Sequence, residues 1–360
     1  MMEMPIAKVQ ALSPTSGWLA DHTTPFVRNE WYVAALSEEI DRTLRDRRLL
    51  GLGVLLYRKS DGAPAALQNR CPHRSFPLSR GTLDGDEVTC GYHGLTFGPD
   101  GACTRIPSQE IVPNAVRTRS FPVVEQAPLI WIWMGDPALA DPAAIPEHPW
   151  LSAPDYTHIG GYLHVKCNYV RLHENVLDLT HFPFLHGEAV GDIAYAQAPF
   201  EVAAEGNSVR ITRRLEDHPV NAGYGATIGN LGHRVNRTSE SWFKTPAFHV
   251  AHATIEDLEG GVGGRTDFHL EILHMFTPES ATSTHYFWAS ARDVRIDDEA
   301  LSEAGRKRTV SVFLEDADAL ERIEEIWTRE DDDFQEISVA GDRAGLLMRR
   351  IIVRRAAQEA

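Results

Sequence analysis

The sequence predicts two unlike domains in one chain, an all-β N-terminal domain followed by an α+β domain. Three observations carry this division. Up to Gly135 the apolar runs are short and separated by turn-forming residues, the pattern of a small β domain. Pro137, Pro142, Pro146, Pro149 and Pro154 then fall within 18 residues, too densely for a helix or a central strand to continue. Beyond Asp155, alternating segments mix with helix-period stretches, as in an α+β domain. A length of 360 residues is enough for two sizeable cores.

The order of elements follows from local signals. Residues 1–25 are mixed in character and are expected to form an arm. From 26 to 136, Leu49–Tyr57 reads as one apolar strand that meets a turn at Ser60-Asp61-Gly62 and returns along Ala65–Gln68. Leu83-Asp84-Gly85-Asp86 and Gly98-Pro99-Asp100-Gly101 read as further turns, and Val123–Trp133 closes the domain with the buried strand Leu129–Trp133. Residues 137–154 form the connection and 155–360 the second domain. There, Tyr169–Thr180 reads as helix, 200–293 as alternating strands, Glu299–Glu325 as helix, Phe334–Val339 as a short strand and Arg343–Glu359 as a terminal helix.

Composition narrows the function. A formal net charge of −16 repels a phosphate backbone, which argues against nucleic acid as a partner. No apolar stretch approaches a membrane span, and the N-terminus lacks a basic and apolar leader pattern, so a cytoplasmic location is expected. Neither a Walker loop nor a complete G-x-G-x-x-G fingerprint is present, since Gly51-Leu52-Gly53 lacks the third glycine and a following helix. A nicotinamide cofactor would therefore act on another polypeptide.

Chemistry concentrates first in Cys71-Pro72-His73 and Cys90-Gly91-Tyr92-His93, which have 16 residues between them. Two thiolates and two imidazoles on two loops fit a Rieske 2Fe–2S cluster, in which Cys71 and Cys90 hold one iron and His73 and His93 the other. Zinc accepts the same ligand types, although its usual spacing pairs like with like. The remaining cysteines, Cys103 and Cys167, carry no motif and are expected to be reduced and buried.

A second constellation lies in the larger domain. Asn175, Asp178 and His181 step by three, which on a continuous helix places them on one stripe. Pro183 is expected to end that helix and let His186 swing back toward His181. Two histidines with one carboxylate, leaving coordination positions open, form the facial triad of non-haem Fe(II) oxygenases. Alternation puts Phe268, Leu270, Ile272, His274 and Phe276 on one sheet face, and Phe248, Val250 and His252 on another such face. Each face carries a single histidine, His252 or His274, that could make the polar contact of an aromatic-substrate pocket or be a satisfied core residue.

These residues together carry a resemblance. The run Asn69–Arg74, then Cys90–Phe97, Asp100-Gly101 and Ile106–Gln109, followed by Asn175-x-x-Asp178-x-x-His181-x4-His186, resembles the terminal oxygenase (α) subunits of Rieske non-haem iron oxygenases. Val312–Glu321 and the pair Phe276–Glu279 and Thr284–Trp288 resemble the vanillate/dicamba O-demethylase branch. The resemblance implies a Rieske domain followed by a helix-grip-type catalytic domain with an antiparallel sheet. It also implies a mononuclear Fe(II) whose third ligand is Asp316. The acidic run Glu330–Asp333 is a rival source of that carboxylate, but adjacent acids usually form a solvated surface. Electrons would come from NAD(P)H through a flavin-dependent reductase, with or without a ferredoxin. The assembly would be a homotrimer in which Asp178, a catalytic residue with Asn175, links His93 of one subunit to His181 of the next. The implied reaction is monooxygenation of an aromatic compound that removes a methyl from oxygen or nitrogen, leaving formaldehyde and a phenol or amine. Ring hydroxylation on the same scaffold, or electron transfer alone, are the alternative activities.

Overall fold

The computed structural model describes residues 24–187, 193–329 and 336–359. The N-terminal arm up to residue 23 and the acidic run Asp331–Asp333 lie outside the described residues. The first domain is built from short antiparallel strands: β1 (Trp31–Leu36), β2 (Arg45–Leu49), β3 (Leu52–Arg58), β4 (Pro64–Gln68), β5 (Thr82–Asp84), β6 (Glu87–Thr89), β7 (Thr96–Phe97), β8 (Cys103–Arg105), β9 (Val123–Gln126) and β10 (Leu129–Trp133). They form three small sheets, ordered β1-β10-β9, β2-β3-β4 and β5-β6-β7-β8. The single strand expected at Leu49–Tyr57 is two strands. Leu50 and Gly51 take positive φ angles of 47° and 80°, which turns the chain within the apolar run and pairs Leu49 with Leu52.

The proline-rich connection forms three single 3-10 turns, Pro137–Leu139, Pro142–Ala144 and Pro149–Leu151, each with proline in its first turn. Asp136 and Asp141 cap the first two by accepting from the main-chain N–H of Ala138 and Ala143.

The second domain contains β11 (Thr157–Val165), α1 (Tyr169–Leu177), α2 (Phe182–Leu185), α3 (Ile193–Gln197), β12 (Phe200–Glu205), β13 (Ser208–Pro219), α4 (Ala222–Ile228), β14 (Arg234–Thr245), β15 (Phe248–Asp257), β16 (Asp267–Ser280), β17 (Ser283–Arg292), α5 (Glu299–Arg329) and α6 (Arg343–Ala357). Its seven strands form one antiparallel sheet in the order β11-β17-β16-β15-β14-β13-β12. The short helix α4 interrupts the stretch expected to be strands alone. Asn221 explains it, since its side chain accepts from the Tyr224 N–H and caps the helix. No strand forms at the described part of Phe334–Val339; residues 336–339 are irregular and lead into a 3-10 turn, with the Asp342 carboxylate accepting from the Val339 N–H.

One face of the large sheet presents Phe276, Tyr286 and Trp288 to α1, α5 and α6. The other presents Phe248, Val250, Leu273, Met275 and Phe287 to Trp31, Trp131 and Trp133 of the first domain. The sheet is therefore covered on both sides, and the two domains share core beside the clusters each keeps to itself, Leu55, Tyr57, Leu67, Val88 and Phe97 in the first and Ile228, Val235, Ile255 and Phe268 in the second. Main-chain bonds reinforce the contact: Leu50 N–H donates to Pro278 O at 2.7 Å, and Thr277 Oγ1 donates to Val33 O at 2.8 Å. The first and last described segments meet as well, where Arg355 pairs with buried Glu30 at 2.6 Å.

Candidate metal centres and substrate cavity

The two cysteine loops have the same local fold. Cys71 N–H donates to Phe76 O and Ser75 N–H to Cys71 O; five residues into the other loop, Cys90 N–H donates to Leu95 O and Gly94 N–H to Cys90 O. At the equivalent fifth position, Ser75 and Gly94 both have positive φ, 59° and 71°. The loops leave β4 and join β6 to β7, so the sheets fix their separation. Cys71 and Cys90 are buried, while His73 and His93 are exposed with ring centroids 4.5 Å apart. Burial, with Cys90 beside it, pushes the free Cys71 thiol up. Two buried sulfurs beneath two facing imidazoles fit a Rieske cluster whose histidine edge reaches the surface. Cys167 is buried and Cys103 half-buried, and neither forms a disulfide.

The second centre is built by α1, the turn after it, and α5. Asn168 caps α1 by accepting from Val170 N–H at 3.0 Å, and the helix runs to Leu177. The single stripe expected for Asn175, Asp178 and His181 is not formed. Asp178 leaves the helical region (φ −120°, ψ 93°), and its carboxylate accepts from Thr180 N–H to cap a 3-10 turn, Leu179–His181. An aspartate that can bond the backbone two residues on favours such a break over continued helix. Pro183 does not end a helix either; it sits in the first turn of α2, where its missing N–H is harmless.

This break brings the three candidate ligands together. His181 Nε2 lies 3.3 Å and His186 Nε2 3.2 Å from the same oxygen of Asp316, and the ligating atoms of the three all lie within 4.8 Å of one another. Neither Nε2 makes a hydrogen bond, although both are buried. Their other nitrogens are committed: His181 Nδ1 donates to Asp178 O at 2.7 Å and His186 Nδ1 to Glu315 Oε2 at 2.8 Å. Those bonds leave both Nε2 lone pairs aimed at Asp316, the arrangement a metal-binding histidine requires. Asn175 Nδ2 donates to Asp316 Oδ1 at 2.9 Å. Burial raises the Asp316 carboxyl, but the two facing imidazoles outweigh it and hold the group well below the usual carboxylate range. Orphaned imidazole nitrogens around one ionised carboxylate fit a divalent iron with open positions. The Asp178 carboxylate does not hold His181, since the main-chain carbonyl does so. Glu315 was not singled out in the sequence; its place directly before Asp316 was the available signal.

A cavity opens from Asp316 between the sheet and α1, α4 and α5, walled by Leu172, Ile272, Phe276, Val312 and Phe313. His274 lies in it, buried, with Nδ1 2.6 Å from Tyr286 Oη. Burial lowers its pKa to about 3, so it is neutral in ordinary buffers. His252 borders the cavity, but the pairing of His249 with His274 puts the His252 ring on the opposite sheet face. There its nitrogens meet Glu271 Oε1 at 2.5 Å and Thr254 Oγ1 at 2.9 Å. Phe248 and Val250 share that face, packed against the first domain. The expectation of two pocket faces therefore reduces to one, with His274 on it.

Comparison with known proteins adds a family context. Residues 30–121 match the Rieske [2Fe-2S] domain and residues 165–358 the vanillate O-demethylase oxygenase C-terminal domain. The oxygenase component of a chloroacetanilide N-alkylformylase from Rhizorhabdus wittichii is 37% identical over 91% of this chain and 94% of its own. The oxygenase component of dicamba O-demethylase from Stenotrophomonas maltophilia is 36% identical over 83% and 88%, respectively. A crystal structure of dicamba monooxygenase bound to 3,6-dichlorosalicylic acid superposes with a TM-score of 0.86 at 33% identity, covering 93% of this chain and 98% of that one.

Proposed function

The chain belongs to the Rieske non-haem iron oxygenases of the vanillate O-demethylase branch, and on that premise we propose that it removes an alkyl group from oxygen or nitrogen of an aromatic compound. It is the terminal oxygenase component of a multicomponent system and receives electrons from a separate reductase, directly or through a ferredoxin. The observation that carries this reading is the placement of His181, His186 and Asp316 at one end of an apolar cavity, in the chain that also carries the two cysteine–histidine loops. When bound, the cluster supplies electrons singly and the mononuclear iron supplies dioxygen chemistry at a substrate C–H bond.

The protein's own residues do the rest. Asp178 and Glu315 fix the tautomers of His181 and His186. Asn175 holds Asp316 in place from α1. The apolar walls, Ile272 and Phe276 among them, exclude water and suit an aromatic ring, and His274 with Tyr286 offers a neutral polar contact. Hydroxylation of a methyl next to oxygen or nitrogen gives a hemiacetal or hemiaminal, which collapses to formaldehyde and the free phenol or amine. A homotrimer is the assembly proposed, with Asp178 near the boundary between subunits.

The test is a screen of methoxy- and N-methyl-aromatic compounds with a reconstituted reductase, following oxygen uptake and aldehyde. Aldehyde formed in proportion to oxygen consumed supports dealkylation. A cis-diol without aldehyde would assign ring hydroxylation instead.

A further inference from the structure

The break at Asp178 that brings the three candidate ligands together leaves a backbone group behind. In a helix continued past Leu177, the Thr180 N–H would donate to the Val176 carbonyl. Here the Asp178 carboxylate takes that N–H at 3.0 Å, and among the described residues no main-chain N–H reaches Val176 O. A buried carbonyl without a partner is unfavourable. The sheet supplies the partner. Ser241, on β14 and 1% exposed, donates its hydroxyl to Val176 O at 2.6 Å.

Behind Ser241 stand two fully buried histidines, His249 on β15 and His173 on α1, and the number of protons fixes their tautomers. The Ser241 hydroxyl has one proton, which goes to Val176 O. His249 Nε2, 2.7 Å from Ser241 Oγ, must therefore carry its own proton and donate it. His173 Nε2 lies 3.0 Å from Pro246 O, an acceptor only, so it carries a proton too. Burial holds both rings neutral, lowering His173 to about 3 and His249 well below its usual value, which leaves one proton to each. Their Nδ1 atoms, 3.5 Å apart, therefore face each other bare. Moving the His249 proton to Nδ1 would fill that contact, but Ser241 would then turn to His249 Nε2 and release Val176 O. No arrangement of these protons satisfies every contact at once, and the short Ser241 contact to Val176 O belongs to the one that holds α1.

The mononuclear site hangs on this end of α1. The helix places Asn175, whose amide holds Asp316 at 2.9 Å, and its last turn leads through Asp178 to His181. Val176 lies between those two points. We infer that Ser241 is a positioning residue for the mononuclear centre: its hydroxyl replaces the helical bond lost at Val176 and fixes the end of α1 from which Asn175 reaches Asp316 and the chain turns to His181. The Nε2 tautomer of His249 keeps that hydroxyl turned toward α1. This rests on His181, His186 and Asp316 as the iron ligands and is independent of the substrate that the cavity takes.

The test is iron affinity at the mononuclear site, read by chelator competition on the full chain with its Rieske cluster in place. Hydrogen exchange at residues 177–181, measured on the same protein before the second iron is added, gives a readout that needs no metal. Ser241→Ala should weaken iron binding about tenfold and speed that exchange about tenfold, with the Rieske spectrum unchanged. Ser241→Thr, which keeps the hydroxyl, should stay within about threefold of the wild type on both. Thr277→Val is the control, because Thr277 is also fully buried and its hydroxyl donates to Val33 O at 2.8 Å on the other face of the sheet. Losing that bond should lower the melting temperature as Ser241→Ala does, yet leave iron affinity within about twofold. If Ser241→Ala fails to fold, as judged by the cluster's visible spectrum, Ser241→Cys decides the matter through a smaller loss, since a thiol donates weakly. Unchanged iron affinity and exchange in Ser241→Ala or its cysteine substitute, a loss as large in Thr277→Val, or an equal loss in Ser241→Thr would each overturn the inference alone. A wild type that takes up no second iron would remove the ligand assignment and the inference with it.

Discussion

At the scale of single residues, the candidate mononuclear site depends on two tautomers and one ionised carboxylate. The main-chain carbonyl of Asp178 and the carboxylate of Glu315 turn both Nε2 atoms toward Asp316. Asp316→Ala should therefore lose the mononuclear iron and all oxygenation while retaining the Rieske signal, measured by iron content and by electron paramagnetic resonance of the reduced protein. Glu315→Gln, which can still meet His186 but carries no charge, should weaken iron binding about ten- to a hundredfold, read by chelator competition. Beside this centre, His173, His249 and His274 are fully enclosed; burial lowers His173 and His274 to about 3 and His249 well below its usual value. Their folded pKa values lie below the unfolded value, so the unfolded chain binds more protons between them. Stability is therefore complete above about pH 6.5 and falls as pH drops below it, by roughly 1.4 kcal/mol per pH unit for each histidine that stays neutral. Denaturant unfolding of the apo protein between pH 5 and 8 measures this slope, and a flat profile would contradict it.

At the scale of elements, the two cysteine loops and the ligand-bearing turn show what the sequence displays and what it hides. Cys71, His73, Cys90 and His93 are legible as candidate ligands because each loop is local, and a few adjacent residues define it. Asp316 was legible only by resemblance, since nothing within α5 distinguishes it from Glu315 or Asp318. The segment around Asp178 reads as helix because spacing by three fits a helical stripe and a capped turn equally well; the deciding interaction, Asp178 with Thr180 N–H, is a side-chain to backbone bond. The pocket histidines were separable only by register, since the pairing of His249 with His274 decides which face His252 takes. Asp178→Asn should keep the cap, because an amide oxygen also accepts from the backbone. We expect this variant to assemble and bind both irons, yet to reoxidise its cluster much more slowly with substrate and oxygen present, as stopped-flow absorbance would show. Reoxidation at the wild-type rate would remove Asp178 from the electron route. In the cluster loops, Gly94→Ala places a Cβ 2.9 Å from Pro107 Cγ at a φ of 71°. It should cost about 1–2 kcal/mol and lower cluster retention, whereas Ser75→Gly at the equivalent position should be neutral or slightly stabilising, both measured by thermal unfolding.

At the scale of the whole molecule, the change from a β-rich to a mixed α and β pattern is visible in the sequence, but the core that the two parts share is not. Trp31 and Trp131 meet Phe248 and Met275 across more than 100 residues of chain, and no local pattern announces such a contact. The consequence is that the first domain forms one cover of the sheet whose other face lines the cavity, so the two metal centres sit on a single framework. Among the described residues no helix is long and apolar enough to cross a membrane. In the function proposed above, this one framework both stores electrons and spends them on removing an alkyl group. Single turnover of the chemically reduced, metal-loaded protein tests it most directly, with a methoxybenzoate and dioxygen but no reductase. Formaldehyde should appear as the cluster's reduced signal disappears, and Asp316→Ala should retain its reduced cluster and yield none. Formaldehyde from Asp316→Ala in the wild-type amount, or a cis-diol in place of formaldehyde from the wild type, would contradict it.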